Sequence, residues 1–174
     1  MSEQKNPYFV KKVKQIEVSN PKKISQLLAE MSETGFQGKK LGETVNVWED
    51  MIRDKNLTIV MGFAGSLSTT GQWKIIKWLM ENHFIDVLVS TGANISEDIL
   101  DGMGHGYWQG HHMADDKDLL KYKIDRFYDV FADEMQYRQL ESLIAEFMQT
   151  LSYEQKFSSR EFLHLFGKWR NIRS

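Results

Sequence analysis

The sequence predicts an α/β fold: the first half of a doubly wound, Rossmann-like parallel sheet with flanking helices. Three observations carry this. Two short apolar, β-branched runs, Leu57–Ala64 and Ile85–Ser90, read as buried strands. An amphipathic stretch lies between them, and strand–helix–strand implies a right-handed parallel crossover. Each run ends in a loop of small residues that leads into a helix. Those loops lie at the carboxyl ends of their strands, where open α/β sheets bind ligands.

The elements follow in order. Residues 1–20 form a polar arm, and its basic stretch Lys11-Lys12-Val13-Lys14 reads as a solvated segment. Residues 21–174 read as a single α/β unit. Asn20 caps a first helix, with Pro21 at the first helical position, where a missing N–H costs nothing. Ile24, Leu27, Leu28 and Met31 follow at helical spacing, and Gly35 ends the helix. A second helix runs from about Leu41 to Arg53, with Leu41, Val45, Trp48 and Ile52 on one face. After the first strand, a third helix starts near Thr70 and turns Trp73, Ile76, Leu79 and Met80 inward. After the second strand, a fourth runs from about Ile95 to Leu100. Tyr107-Trp108 and Ile124–Val130 supply short strands. A long helix spans about Glu134 to Leu151 on a Leu140, Ile144, Phe147, Leu151 face. The last helix starts at Ser158, where Ser158 and Glu161 make a capping-box pattern, and ends near Trp169. This strand count falls short of the roughly five or six of a doubly wound sheet. The chain therefore reads as half of a larger domain.

Composition narrows the function. The 174 residues carry 22 basic and 24 acidic side chains, so 22 − 24 = −2. Without a strong basic field, nucleic acid is not the expected partner. The absence of cysteine removes disulfides, zinc–thiolate sites, iron–sulfur clusters and thiol nucleophiles, and fits a reducing, cytoplasmic compartment. The N-terminus is too polar for a signal peptide, and no apolar run approaches the ~20 residues that span a bilayer.

Chemistry concentrates in the two loops. Gly65, Ser66, Leu67, Ser68 and Thr69 offer backbone N–H groups and three hydroxyls at a helix N-terminus, a cradle for phosphate or pyrophosphate. Thr91, Gly92, Ala93 and Asn94 repeat the arrangement one strand over. Tight turns and helix capping would call for the same small residues, so both readings stand. Glu97 falls at the rim of the pocket, where a carboxylate suits a cationic substrate or a ribose hydroxyl. It also suits the dipole of a helix first turn. His105, His111, His112, Asp115 and Asp116 match no metal-ligand spacing and read as a polar loop, so no metal is expected. Gly102-Met103-Gly104-His105-Gly106 follows a helix, the wrong context for a dinucleotide fingerprint.

At this point the chain resembles the deoxyhypusine synthase family. The motifs are Thr34–Gly42 with Val47–Met51, Met61–Leu67, and above all Ile85–Asp98. Ile124-Asp125-Arg126 and Ser158–Leu163 add to them. The resemblance covers nearly the whole chain from about residue 20. It implies NAD-dependent dehydrogenation of spermidine, cleavage of the resulting imine, and passage of the butylamine part through an enzyme lysine. The acceptor is then a protein lysine or a small amine. It also implies that Gly65, Ser66, Leu67, Ser68, Thr69, Thr91, Gly92 and Ala93 lie on NAD. Glu97, the second of a glutamate pair in the eukaryotic pattern, would touch NAD and spermidine. Ser96 replaces the first. Family members are about twice as long, and their reactive lysine, in a Trp-Gly-Lys motif, belongs to the second half. Phe166-Gly167-Lys168 is similar in three letters but sits in an earlier helix, so no catalytic residue is assigned here. The expected partners are a separately encoded C-terminal half or a full-length paralogue, in an oligomer. The alternative is a non-catalytic nucleotide-binding or regulatory subunit.

Overall fold

The structure, a computed structural model, describes residues 10–18 and 21–173. The elements are α1 (Ile24–Met31), α2 (Phe36–Arg53), β1 (Val60–Phe63), α3 (Trp73–Glu81), β2 (Val87–Ser90), α4 (Gly92–Gly102), β3 (Trp108–Gln109), α5 (Asp116–Lys121), β4 (Ile124–Phe127), β5 (Val130–Asp133), α6 (Glu134–Met148) and α7 (Ser159–Arg173). They fall into two units. One is Met1–Val60 with Phe84–Val87, and the other is Met61–His83 with Leu88–Ser174.

In the first unit α1 packs on α2. The expected cap, Asn20, lies outside the described residues, and Pro21 precedes the helix rather than opening it. The Lys23 N–H donates to Gln26 Oε1 at 3.0 Å, which satisfies a free N-terminal donor and starts α1 at Ile24. Gly35 does not end α1. It is the N-cap of α2, which begins five residues earlier than its apolar face suggests. Gly42 is the only buried residue of α2, and the one that lets the two helices approach. A Cβ there would lie 2.4 Å from Ser32 N and 2.5 Å from Leu28 O. Leu41, Val45, Trp48 and Ile52 share a face as expected, but all four are exposed. Further on, Ile59 O accepts from the N–H groups of Asp86 (2.9 Å) and Val87 (3.1 Å). The Ile59 N–H in turn donates to Asp86 Oδ2 at 2.8 Å.

β1 and β2 pair in a two-stranded parallel sheet. The α/β class and the small parallel sheet are as expected, while a full doubly wound sheet is not seen among the described residues. Strands β3, β4 and β5 do not extend the parallel sheet but form a separate antiparallel one, in the order β3-β5-β4. Only Tyr128-Asp129 join β4 to β5, with Tyr128 at φ 60, and so short a connection forces a hairpin. Nor are β1 and β2 buried. Their exposure alternates, with Val60, Val87 and Val89 on the open face.

In the second unit α3 starts at Trp73 rather than Thr70. Gly71 (φ +73) donates to Ser68 O at 2.9 Å and holds a turn that no helix can include. Ile76 and Leu79 are buried as expected, while Met80 is exposed. α4 packs on α6 and buries Leu100. α5 is an element the sequence reading does not contain. Asp115 starts it, its Oδ1 accepting from the Lys117 N–H at 2.8 Å. The Glu134 helix ends at Met148, where Thr150 Oγ1 donates to the Phe147 carbonyl at 2.7 Å. The Ser158–Glu161 capping box is present in both directions, at 2.8 and 3.2 Å. The helix it opens continues to Arg173. Phe147 centres an aromatic cluster, with Phe162, Phe166 and Trp169 at 5.3, 5.2 and 5.4 Å. Among the described residues no helix is long and apolar enough to cross a membrane.

Candidate functional site

The first loop follows β1. Gly65 has φ +98, a conformation that only glycine adopts without strain. The chain then folds into a hydroxyl-rich turn. The Ser66 carbonyl accepts from the Thr70 N–H (3.3 Å) and from Thr69 Oγ1 (3.0 Å). The Gln72 N–H donates to Leu67 O at 2.7 Å and closes the turn. Ser68 and Thr69 are buried, and the Ser68 hydroxyl has no partner among the described residues.

The second loop is shorter than the sequence suggests. α4 begins at Gly92, so Gly92, Ala93 and Asn94 form a helical first turn and only Thr91 remains outside. Thr91 is extended and supplies no side-chain cap, and the first turn holds no acidic residue. The first N–H groups of α4 thus carry the positive end of the helix dipole with no side chain across them.

Two side chains from one face of α4 reach the first loop. Asn94 Oδ1 accepts from the Leu67 N–H at 2.9 Å. One turn on, Glu97 Oε1 accepts from the Ser66 hydroxyl at 2.6 Å. The expected rim position of Glu97 is corrected, because the side chain is 2% exposed. Its other oxygen, Oε2, is buried without a hydrogen-bond partner among the described residues. Burial pushes the Glu97 carboxyl above its ordinary range, against the opposing pull of the Ser66 hydroxyl and the Thr69 amide.

Below Glu97 lie two tyrosines. The Tyr107 hydroxyl is 3.4 Å from the Glu97 carbonyl oxygen. Burial raises the pKa of Tyr107 and of Tyr137. Asp98, beside Glu97, is pushed up to about 6 by burial and by Asp101, against Lys77 and the Trp73 indole. Beside the start of α4 an open groove of about 590 Å³ is lined by Ile95, Ile99, Ile144, Phe157, Phe162 and Leu163, among others.

The structure thus joins the Gly65–Thr69 loop to α4 through Ser66, Leu67 and Glu97. Thr91, Gly92 and Ala93 stand at the exposed start of that helix. The sequence reading names Asn94 within the second loop but not as a site residue. Its signal was the repeat of one polar residue at helical spacing from Glu97. The histidine stretch is occupied with packing. His111 stacks on His112 at 4.8 Å, and His112 on Tyr128 at 5.2 Å. Asp116 pairs with Arg126 through both oxygens, at 2.7 and 3.0 Å. Lys168 lies exposed on α7, well along the chain from both loops.

This geometry suits an anionic, nucleotide-like group. It offers uncapped helical N–H groups, an unpartnered buried hydroxyl and a backbone bare of side chains at Gly65 and Gly92. Comparison with known proteins agrees with the sequence motifs. The family model described as "Deoxyhypusine synthase" matches residues 26–174. A protein of Methanosarcina mazei named "Probable deoxyhypusine synthase 2" is 41% identical over 145 residues, 83% of this chain and 42% of that protein. Its namesake in Archaeoglobus fulgidus is 43% identical over 143 residues, 82% of this chain and 47% of the relative. A "Deoxyhypusine synthase-like protein" of Chlorobaculum parvum is 33% identical over 172 residues, 97% of this chain and 48% of the relative. The chain therefore spans a little under half the length of these curated relatives. With a family match over most of its residues, the chain belongs to the deoxyhypusine synthase family.

Proposed function

We propose that this chain is the nucleotide-binding portion of a deoxyhypusine synthase-like aminobutyl transferase. The proposed reaction moves the butylamine part of spermidine to a protein lysine or a small amine. The observation that carries this reading is the pair of ties from α4, Ser66–Glu97 and Leu67–Asn94, which bring the two expected loops together. NAD, when bound, would accept a hydride from the amine and later return it. Gly65, Ser66, Leu67, Ser68 and Thr69 would hold it from one side, and Thr91, Gly92 and Ala93 from the other. The N–H groups at the start of α4 would meet its negative charge.

Glu97 is the carboxylate this portion offers to a polyamine. A buried carboxylate with one oxygen unpartnered is costly alone, and a nearby ammonium would offset that cost. Covalent transfer needs an amine nucleophile held beside the substrate. Lys168 is exposed on its helix, and nothing supports giving it that role. We assign the nucleophile to a second half, supplied by another chain or by a longer form of this one. The exposed Val60, Val87 and Val89, and the exposed face of α2, support such a partner and an oligomer. The proposed compartment is the cytoplasm.

The test is a spermidine-cleavage assay with NAD that detects released diaminopropane. The chain alone is expected to release none. Adding a chain that carries the Trp-Gly-Lys half should restore release, weakened by Glu97→Ala and left intact by Lys168→Ala. Robust release by the chain alone, lost on Lys168→Ala, would overturn the reading. A non-catalytic nucleotide-binding subunit is the second reading, favoured by the commitment of Glu97 Oε1 to Ser66. It predicts NAD binding with no release in any combination.

A further inference from the structure

We propose that Asn94 is a positioning residue, whose carboxamide sets the backbone of the Gly65–Thr69 loop against the end of β2. The inference rests on the nucleotide reading of that loop.

Asn94 is the third residue of α4, the position from which a Glu or Gln side chain reaches back to the N-cap N–H in a capping box. It does not do so here. It is fully buried, and both ends of its carboxamide are bonded to other elements. Oδ1 accepts from the Leu67 N–H at 2.9 Å, and Nδ2 donates to Ser90 Oγ at 3.1 Å. The partners fix the orientation of the amide, since a backbone N–H can only donate. A planar group with an acceptor on one arm and a donor on the other therefore joins the first loop to the last residue of β2. A buried carboxamide left unbonded would be costly, so each bond supports the other.

No other side chain does this at the same reach. Aspartate lacks the donor and would bury a second carboxylate three residues from Glu97. Glutamine is longer by one carbon. Leucine fills the space but leaves the Leu67 N–H without a partner. The Ser66–Leu67 peptide is held from its other side as well, because the Ser66 carbonyl accepts from the Thr70 N–H at 3.3 Å. With both groups of that peptide committed, the plane is fixed. The direction of the donors that follow, Ser68 and Thr69, is fixed with it.

The experiment uses the full chain, with residue-specific amide exchange by NMR and NAD titration by calorimetry. In Asn94→Ala the Leu67 amide should exchange about tenfold faster, the factor a net hydrogen bond supplies. NAD affinity should fall by a similar factor. The Ile76 and Leu100 amides should stay within about twofold of wild type, which separates a local role from general loosening. Should Asn94→Ala fail to fold, Ser90→Ala carries the test, since it removes only the Nδ2 acceptor. It should speed Leu67 exchange about threefold. Unchanged Leu67 exchange in the folded variant overturns the proposal. So does a rise that Ile76 and Leu100 share in full, and so does NAD affinity equal to wild type. A wild-type chain that takes up no NAD overturns the nucleotide reading instead, and the tie from Asn94 is then judged on Leu67 exchange alone.

Discussion

Gly42→Ala sets two physical effects of opposite sign against each other. In an exposed helix interior, glycine to alanine stabilises by about 1 kcal/mol, because alanine costs less backbone entropy and shields the helix. Gly42 is in a helix interior, so propensity alone predicts a gain. The packing of α1 on α2 predicts a loss. The new Cβ would lie 2.4 Å from Ser32 N, 2.5 Å from Leu28 O and 2.8 Å from Ser32 Cα. All three atoms are backbone, so no side chain can swing away. Relief needs α1 to withdraw by about 1 Å, and overpacking of that kind costs about 1–3 kcal/mol or more. Contacts this short to backbone put the cost at the upper end, about 2–3 kcal/mol, so the net expectation is destabilisation by about 1–2 kcal/mol. Gly167→Ala is the control. It lies in α7, and a Cβ there would meet nothing within 4 Å, so only the propensity gain of up to about 1 kcal/mol remains. Urea denaturation followed by far-ultraviolet circular dichroism reads both variants against wild type. A Gly42→Ala midpoint equal to or above wild type would show that the close approach of α1 and α2 is not real.

Two further outcomes follow from burial and charge. Asp98 titrates near 6 in the fold against an ordinary 3.8, so its contribution to stability is fully present below about pH 4 and is lost as pH rises through 6. That shift corresponds to a ceiling of about 3 kcal/mol, and access of solvent to a partly exposed side chain brings it to about 1–2 kcal/mol. Asp98→Asn should be the more stable protein at pH 8 and match wild type at pH 4; an equal gap at both values would refute the assignment. Leu100, 1% exposed on the inner face of α4, should cost about 2–5 kcal/mol when cut to alanine, measured as a lower urea midpoint.

Much of this architecture is legible in the sequence because the local signals are strong. The order of β1, α3, β2 and α4 follows from the change of hydrophobic period, and the start of α7 follows from the Ser158–Glu161 box. Helix starts are less legible where glycine acts outside its common role. Gly35 and Gly92 open helices here, although glycine after an apolar run usually closes one. The second sheet was hard to see because β3 is two residues long and the β4–β5 turn contains neither glycine nor asparagine. α5 is not legible, because its six residues carry no apolar period. At the site, residue types pointed to the two loops but not to how they meet. Whether Glu97 lies at a rim or within depends on Ser66, thirty-one positions earlier. No sequence window spans that pairing.

Asn94 and Glu97 also constrain how this stretch of chain can change its length. The two residues lie one turn apart on α4, and their shared face meets the first loop because the helix starts at a fixed phase after Ser90. Each residue added or removed between Ser90 and Asn94 would turn the helix by about 100° relative to the strand, with 3.6 residues per turn. One such change would carry both side chains off the first loop together, leaving the Leu67 N–H and the Ser66 hydroxyl to water. Substitutions at Thr91, Gly92 or Ala93 can alter what the site holds, whereas insertions and deletions there would uncouple it. The segment is therefore expected to accept changes of residue and to refuse changes of count.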